Sequence, residues 1–118
     1  MPADFDIHTI RKKVIPFVLS LSTNGEMHFP ILDTVKNVRM KSALINLQPG
    51  ENVGLHSTKE QEEILIVLDG SGEVHAEGLG KQQVKKDSII YIPPNNRHDV
   101  KNTGDTALRY IYIVSPIQ

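Results

Sequence analysis

HSTKEQEEILIVLDG, residues 56–70, decides how this chain is read. A histidine stands ahead of a cluster of acids and amides, Glu60, Gln61, Glu62 and Glu63. The run then becomes aliphatic and stops at an Asp69-Gly70 turn signal. Histidine and glutamate at the mouth of a buried strand suit half of a metal site. They equally suit a polar loop in front of an ordinary strand, and the surrounding chain has to decide between the two.

Working outward, strand signals recur and helix signals are scarce. VRMKSALINL (38–47) ends at Gln48-Pro49-Gly50, SIIYI (88–92) at Pro93-Pro94-Asn95-Asn96, RHDVKN (97–102) at Thr103-Gly104, and ALRYIYIV (107–114) just before Pro116. No window sustains the i, i+3, i+4, i+7 apolar spacing of a helix, and seven prolines and eight glycines punctuate the chain. Short strands separated by turns at such intervals predict an all-β sandwich or barrel. EILIVL (63–68) and EVHAEG (73–78), joined through Asp69-Gly70-Ser71-Gly72, predict a β-hairpin. With Gly70-Ser71 at its tip, Val67 faces Val74 and Leu65 faces Ala76. Alternation then puts Glu63, Leu65, Val67, Val74 and Ala76 on one face, and His75 with Glu73 and Glu77 on the other.

The first 37 residues are the least legible. IPFVLSLS (15–22) suits a strand or a short helical turn. We expect one domain overall, with 1–37 as an N-terminal arm packing on the barrel or on a dimer partner and 38–118 as the barrel itself.

Composition narrows the function. At 118 residues, with 39% hydrophobic and 23% charged content, the chain suits a single folded domain. A net charge of −1 supplies no basic footprint, so no nucleic-acid partner is expected. Without cysteine there are no disulfides, thiolate ligands or thiol nucleophiles, and any metal must be held by imidazole and carboxylate. No apolar run approaches the ~20 residues of a membrane helix. MPADFDIHTIRKK lacks the apolar core of a secretory signal, so a cytoplasmic protein with no membrane partner is expected.

The histidines and turns fall on a regular ruler. Gly50 is followed after five residues by His56, then Thr58, Glu63 and, six residues on, Gly70; later come Pro93, Asn95, His98 and Asn102. These stretches resemble the paired motifs of the cupin superfamily, G-x5-H-x-H-x(3,4)-E-x6-G and G-x5-P-x-G-x2-H-x3-N, over roughly residues 38–114. The resemblance implies a small jelly-roll β-barrel (double-stranded β-helix), commonly a homodimer. Thr58 stands where the family has its second histidine, Asn95 replaces a turn glycine, and Asp87 stands where the second motif begins with glycine. Asparagine tolerates the positive φ that such a turn needs.

In that family the motif histidines and glutamate hold a divalent metal inside the barrel. Carried over, this leaves His56, Glu63 and His98, with Thr58 a poor replacement. Imidazole with carboxylate suits iron, manganese, nickel or zinc, and two histidines with one carboxylate leave positions open for substrate or dioxygen. Each residue also has a plain structural reading: His56 as a half-exposed polar residue, Glu63 as a solvated strand-edge acid. Glu60 and Glu62 read as loop surface, and His75 as a surface residue of the sheet. His8 and His28 read as structural. Arg97, Arg109, Tyr91, Tyr110 and Tyr112 are candidates to line or rim a pocket, with no role assigned.

No nucleophile elbow, phosphate-binding glycine loop or HExxH helix competes, and Ser57 beside His56 points to the opposite face of a strand. Three functions follow. One is a metal-dependent, dioxygenase- or isomerase-like protein acting on or binding a small organic molecule. Another is a non-catalytic small-ligand-binding cupin without functional metal. A metal-free epimerase or isomerase with His98 as general base is a third.

Overall fold

The computed structural model describes residues 14–33, 37 and 39–117. His8 lies outside them. Among the described residues, nine strands form two antiparallel sheets: β1 (His28–Leu32), β2 (Lys41–Leu47), β3 (His56–Ser57), β4 (Gln61–Asp69), β5 (Ser71–Ala76), β6 (Gly80–Lys85), β7 (Ile89–Ile92), β8 (Arg97–Lys101) and β9 (Leu108–Pro116). One sheet has the order β1-β2-β9-β4-β7, the other β3-β8-β5-β6. Apart from the consecutive pairs β1–β2 and β5–β6, strands alternate between the two sheets along the chain, and this all-β jelly roll is the expected architecture. No helix among the described residues is long and apolar enough to cross a membrane.

Between the sheets lies a core of alternate residues from facing strands, including Ile45, Leu47, Leu65, Val67, Val74, Val84, Ile92, Val100 and Leu108. Leu47, Ile92 and Leu108 are sealed completely, and each such burial contributes about 1.5–3 kcal/mol. β4 shows the cleanest alternation. Glu63, Leu65 and Val67 are buried while the residues between them are not, as the period of two requires.

One sequence expectation fails here. Residues 63–68 and 73–78 do not form a hairpin: β4 pairs with β7 and β9, whereas β5 pairs with β6 and β8. Gly70 is a crossing between sheets. Its φ is +85°, and a side chain there would overlap the Ala107 carbonyl oxygen and come within 2.9 Å of Leu108 Cα. The tight approach to the start of β9 turns the chain into the opposite layer. The inferred facing nevertheless holds, because Val74 is buried and His75 points outward to Glu73. Alternation is a property of each strand alone and survives an error in its partner.

The real hairpin joins β5 to β6. β6 carries one buried side chain, Val84, in an otherwise exposed strand, so it left no apolar pattern to detect. β1 likewise went unread, and it joins β2 despite Pro30 because it is an edge strand. Residues 15–22 form neither strand nor helix. They reach the sheet through the Ser22 carbonyl, which accepts from Arg109 Nη2 at 3.4 Å, while further on the Met27 carbonyl accepts from Asn46 N at 2.9 Å.

Candidate functional site

Two strands from one sheet and one from the other bring the three sequence-chosen residues together. His56 on β3 is the direct register partner of His98 on β8, and their ring centroids lie 4.3 Å apart. Glu63, on the inner face of β4, approaches from the opposite sheet and places Oε1 3.0 Å from His98 Nε2. One donor atom from each of the three residues falls within 4.8 Å of the others. Glu60 and Glu62 stay outside, with Glu62 accepting from the Tyr91 hydroxyl at 2.8 Å.

Local hydrogen bonds fix both rings. His98 Nδ1 lies 3.0 Å from the Asn96 carbonyl and His56 Nδ1 2.7 Å from the Gly54 carbonyl. A carbonyl only accepts, so each Nδ1 carries a proton and each Nε2 is left to face the cavity. The Gly54 backbone is itself anchored by Asp99, whose two oxygens accept from Gly54 N and Asn52 Nδ2, both at 2.9 Å. Such carbonyl partners orient histidine ligands in metal sites generally.

His98 Nε2 is the telling atom. It is fully buried and has no well-aligned hydrogen-bond partner, although a carboxylate oxygen sits close by. A neutral imidazole with Nδ1 protonated would aim a lone pair at an anion, which is repulsive. Either a proton or a cation must lie between them. With a proton there, burial is the largest influence and works to lower the His98 pKa. Hydrogen bonding to Glu63 and Asn96 and the charges of Glu63 and Asp99 outweigh it, and the pKa is raised. With a divalent cation there, the donor set of two imidazoles and one carboxylate fits iron, manganese, nickel or zinc.

Thr58 is 5% exposed and its hydroxyl is engaged elsewhere. It donates to the Pro93 carbonyl at 2.7 Å and accepts from Asn96 N at 3.0 Å. This clamp holds the turn that carries His98. Asn95 in that turn has φ 55° and Asp87 has φ 75°, so both replacements at motif glycine positions adopt the left-handed backbone. Asn102 is a structural residue. Completely buried, it donates to the Leu47 and Thr106 carbonyls at 2.9 and 2.8 Å and accepts from Gly104 N at 2.9 Å.

The three residues open onto a cavity of about 270 Å³. Its walls include Ile45, Val53, Leu65, Val100 and Val114, with Tyr110 and Tyr112 from β9. Burial drives both tyrosine pKa values up, reinforced by the Glu63 charge, so both phenols stay neutral. Arg97, Arg109 and Tyr91, named with the tyrosines as possible pocket residues, are absent from these walls. Arg109 pairs with Asp69 at 3.3 Å instead. Lys41 and Gln61 line the cavity and were missed. Lys41 shares strand parity with Ala43 and Ile45, a signal that becomes usable only once that face is known to point inward. His28 stands at the margin, with Nε2 3.5 Å from the Tyr112 hydroxyl.

Residues 43–114 match the family model described as a cupin domain, and the chain belongs to the cupin family. Among curated proteins it is 28% identical over 87 residues to a Thermotoga maritima protein named an oxalate-binding protein, an alignment spanning 74% of this chain and 71% of that one. It is 38% identical over 102 residues to auxin-binding protein 1 of Arabidopsis thaliana, spanning 77% of this chain but only 50% of that protein. Among solved structures, a Bacillus halodurans protein superimposes with a TM-score of 0.76 at 26% identity, covering 88% of this chain and 83% of the other.

Proposed function

We propose that this cupin holds one divalent metal ion through His56, Glu63 and His98, and that a small organic molecule enters the cavity beside it to be bound or transformed in a dioxygenase- or isomerase-like reaction. One observation carries the reading: the buried His98 Nε2, without an aligned partner, facing a carboxylate oxygen at 3.0 Å. When bound, the ion would supply Lewis-acid polarisation of a substrate oxygen or a site for dioxygen. The chain does the rest. Asn96 and Gly54 hold the two imidazoles in the right tautomer, Glu63 supplies the negative charge, and Tyr110 with the aliphatic walls keeps water from the floor.

Elemental analysis after equilibration with Fe(II), Mn(II), Ni(II) or Zn(II) tests this. One ion per chain is expected in the native protein and none in His98→Ala. Absence of stoichiometric metal in the native protein would refute it. A non-catalytic ligand-binding cupin is the second reading, supported by the commitment of the Thr58 hydroxyl to a turn and by relatives named for binding oxalate and auxin. Turnover of any substrate that is lost in Glu63→Gln would exclude it.

A cytoplasmic homodimer completes the proposal. Its support is the apolar outer face of the five-stranded sheet, where Ile89 is exposed, together with the exposed Ile15 and Val18 before β1. Light scattering at micromolar concentration checks the assembly, and a monomeric mass would rule it out.

A further inference from the structure

The row of the sheet that carries Glu63 carries a second charge at its far side. Lys41 on β2 pairs with Val114 on β9, and Val114 pairs with Glu63 on β4. Register partners share a face, so all three point into the barrel. Two strand spacings separate Lys41 from Glu63, about 10 Å between their Cα atoms. Lys41 lines the cavity, and neither it nor the Gln61 side chain makes an ion pair or side-chain hydrogen bond among the described residues. Gln61 lies two residues before Glu63 on the same strand face, also at the cavity wall. Among the described residues, an ammonium and an amide thus stand without side-chain partners on the open side of the chamber, across the apolar Val114 from the His56–Glu63–His98 centre.

The charges do not cancel. Glu63 is the one acid among the described residues lining the cavity. A divalent ion held by this single carboxylate keeps a net positive charge, and Lys41 adds another some distance away across Val114. Two positive ends separated by hydrophobic wall complement a short molecule that is anionic at both ends. We infer that the cavity selects small dicarboxylates, one carboxylate at the His56–Glu63–His98 centre and the other at Lys41, assisted by Gln61. This rests on the metal reading above and adds a specificity-determining residue to it. The cavity of about 270 Å³ suits a molecule of a few carbons.

Calorimetric titration of the Zn(II)-equilibrated protein with malonate and succinate, each against its monocarboxylate counterpart, propionate and butyrate, tests the inference. Low ionic strength is required because Lys41 is exposed. The better dicarboxylate should bind at least about tenfold more tightly than its counterpart, as a charge-assisted contact provides. Lys41→Met should erase that preference without changing zinc stoichiometry or monocarboxylate affinity, and Lys41→Arg should retain most of it. No preference in the native protein, or an equal preference in Lys41→Met, overturns the role of Lys41 even if zinc binds. A Lys41-dependent preference in a protein that takes up no metal refutes the metal reading and leaves the role of Lys41 standing.

Discussion

Replacing Thr58 with valine tests whether this residue is a clamp. Valine keeps the branched shape, so no cavity forms, and only the hydroxyl is lost. That hydroxyl accepts from Asn96 N at 3.0 Å and donates to the Pro93 carbonyl at 2.7 Å. The Asn96 amide is buried and would be left without a partner, at a cost of about 1–3 kcal/mol. The Pro93 carbonyl belongs to an exposed residue and can turn to water. A loss of about 2 kcal/mol is therefore expected, visible as a lower urea midpoint at unchanged slope and a melting temperature down by roughly 8 °C.

The Asn96 carbonyl orients His98, so a looser turn should also weaken zinc binding by about tenfold, measured by competition with a chelating dye. Urea unfolding of the metal-stripped protein separates the two effects. A stability change below about 0.5 kcal/mol with unaltered zinc affinity would show that the hydroxyl holds nothing in place.

The metal-free protein should lose stability with rising pH. The folded His98 pKa is raised, so its contribution is fully present below the unfolded value near 6.5 and is lost as pH climbs through the higher folded value. Glu63→Gln should flatten that slope, and parallel urea midpoints for the two proteins across pH 5–9 would contradict the pairing. Gly70→Ala should destabilise by about 3 kcal/mol or more, because strain at φ +85° adds to overlap with the Ala107 carbonyl. Gly50→Ala, at φ +88° with open space around it, should cost only about 1–2 kcal/mol in the same denaturation assay. Asn102→Ala abandons three hydrogen bonds, one buried and two part-buried, and should lower stability by about 3 kcal/mol, while the folded fraction still takes up one zinc ion per chain on elemental analysis.

Much of the site was legible one strand at a time. Period-two alternation through residues 63–67 puts Glu63 inward with Leu65 and Val67, and no knowledge of the partner strand is needed. Motif spacing picked out His56 and His98, and the turn residues Asp87 and Asn95 adopt the left-handed backbone that glycine would otherwise supply. β6 was invisible because a strand exposed on both sides, with only Val84 buried, keeps no apolar period. Lys41 was overlooked because β2 is buried on both faces from Ser42 to Leu47. Without alternation, nothing local says which way a side chain points.

By itself, the amino-acid sequence determined the all-β class, the family and the three residues of the candidate centre, because strand period, turn chemistry and motif spacing are short-range properties. Tertiary structure alone decided that residues 63–68 and 73–78 part company at Gly70 into opposite sheets. A hairpin and a sheet crossing use the same Asp-Gly chemistry and differ only in what packs against the turn. The same holds for Thr58. Its place between the ligand candidates was visible, but its attachment to Pro93 and Asn96, 35 and 38 residues away, exists only once the two sheets have closed.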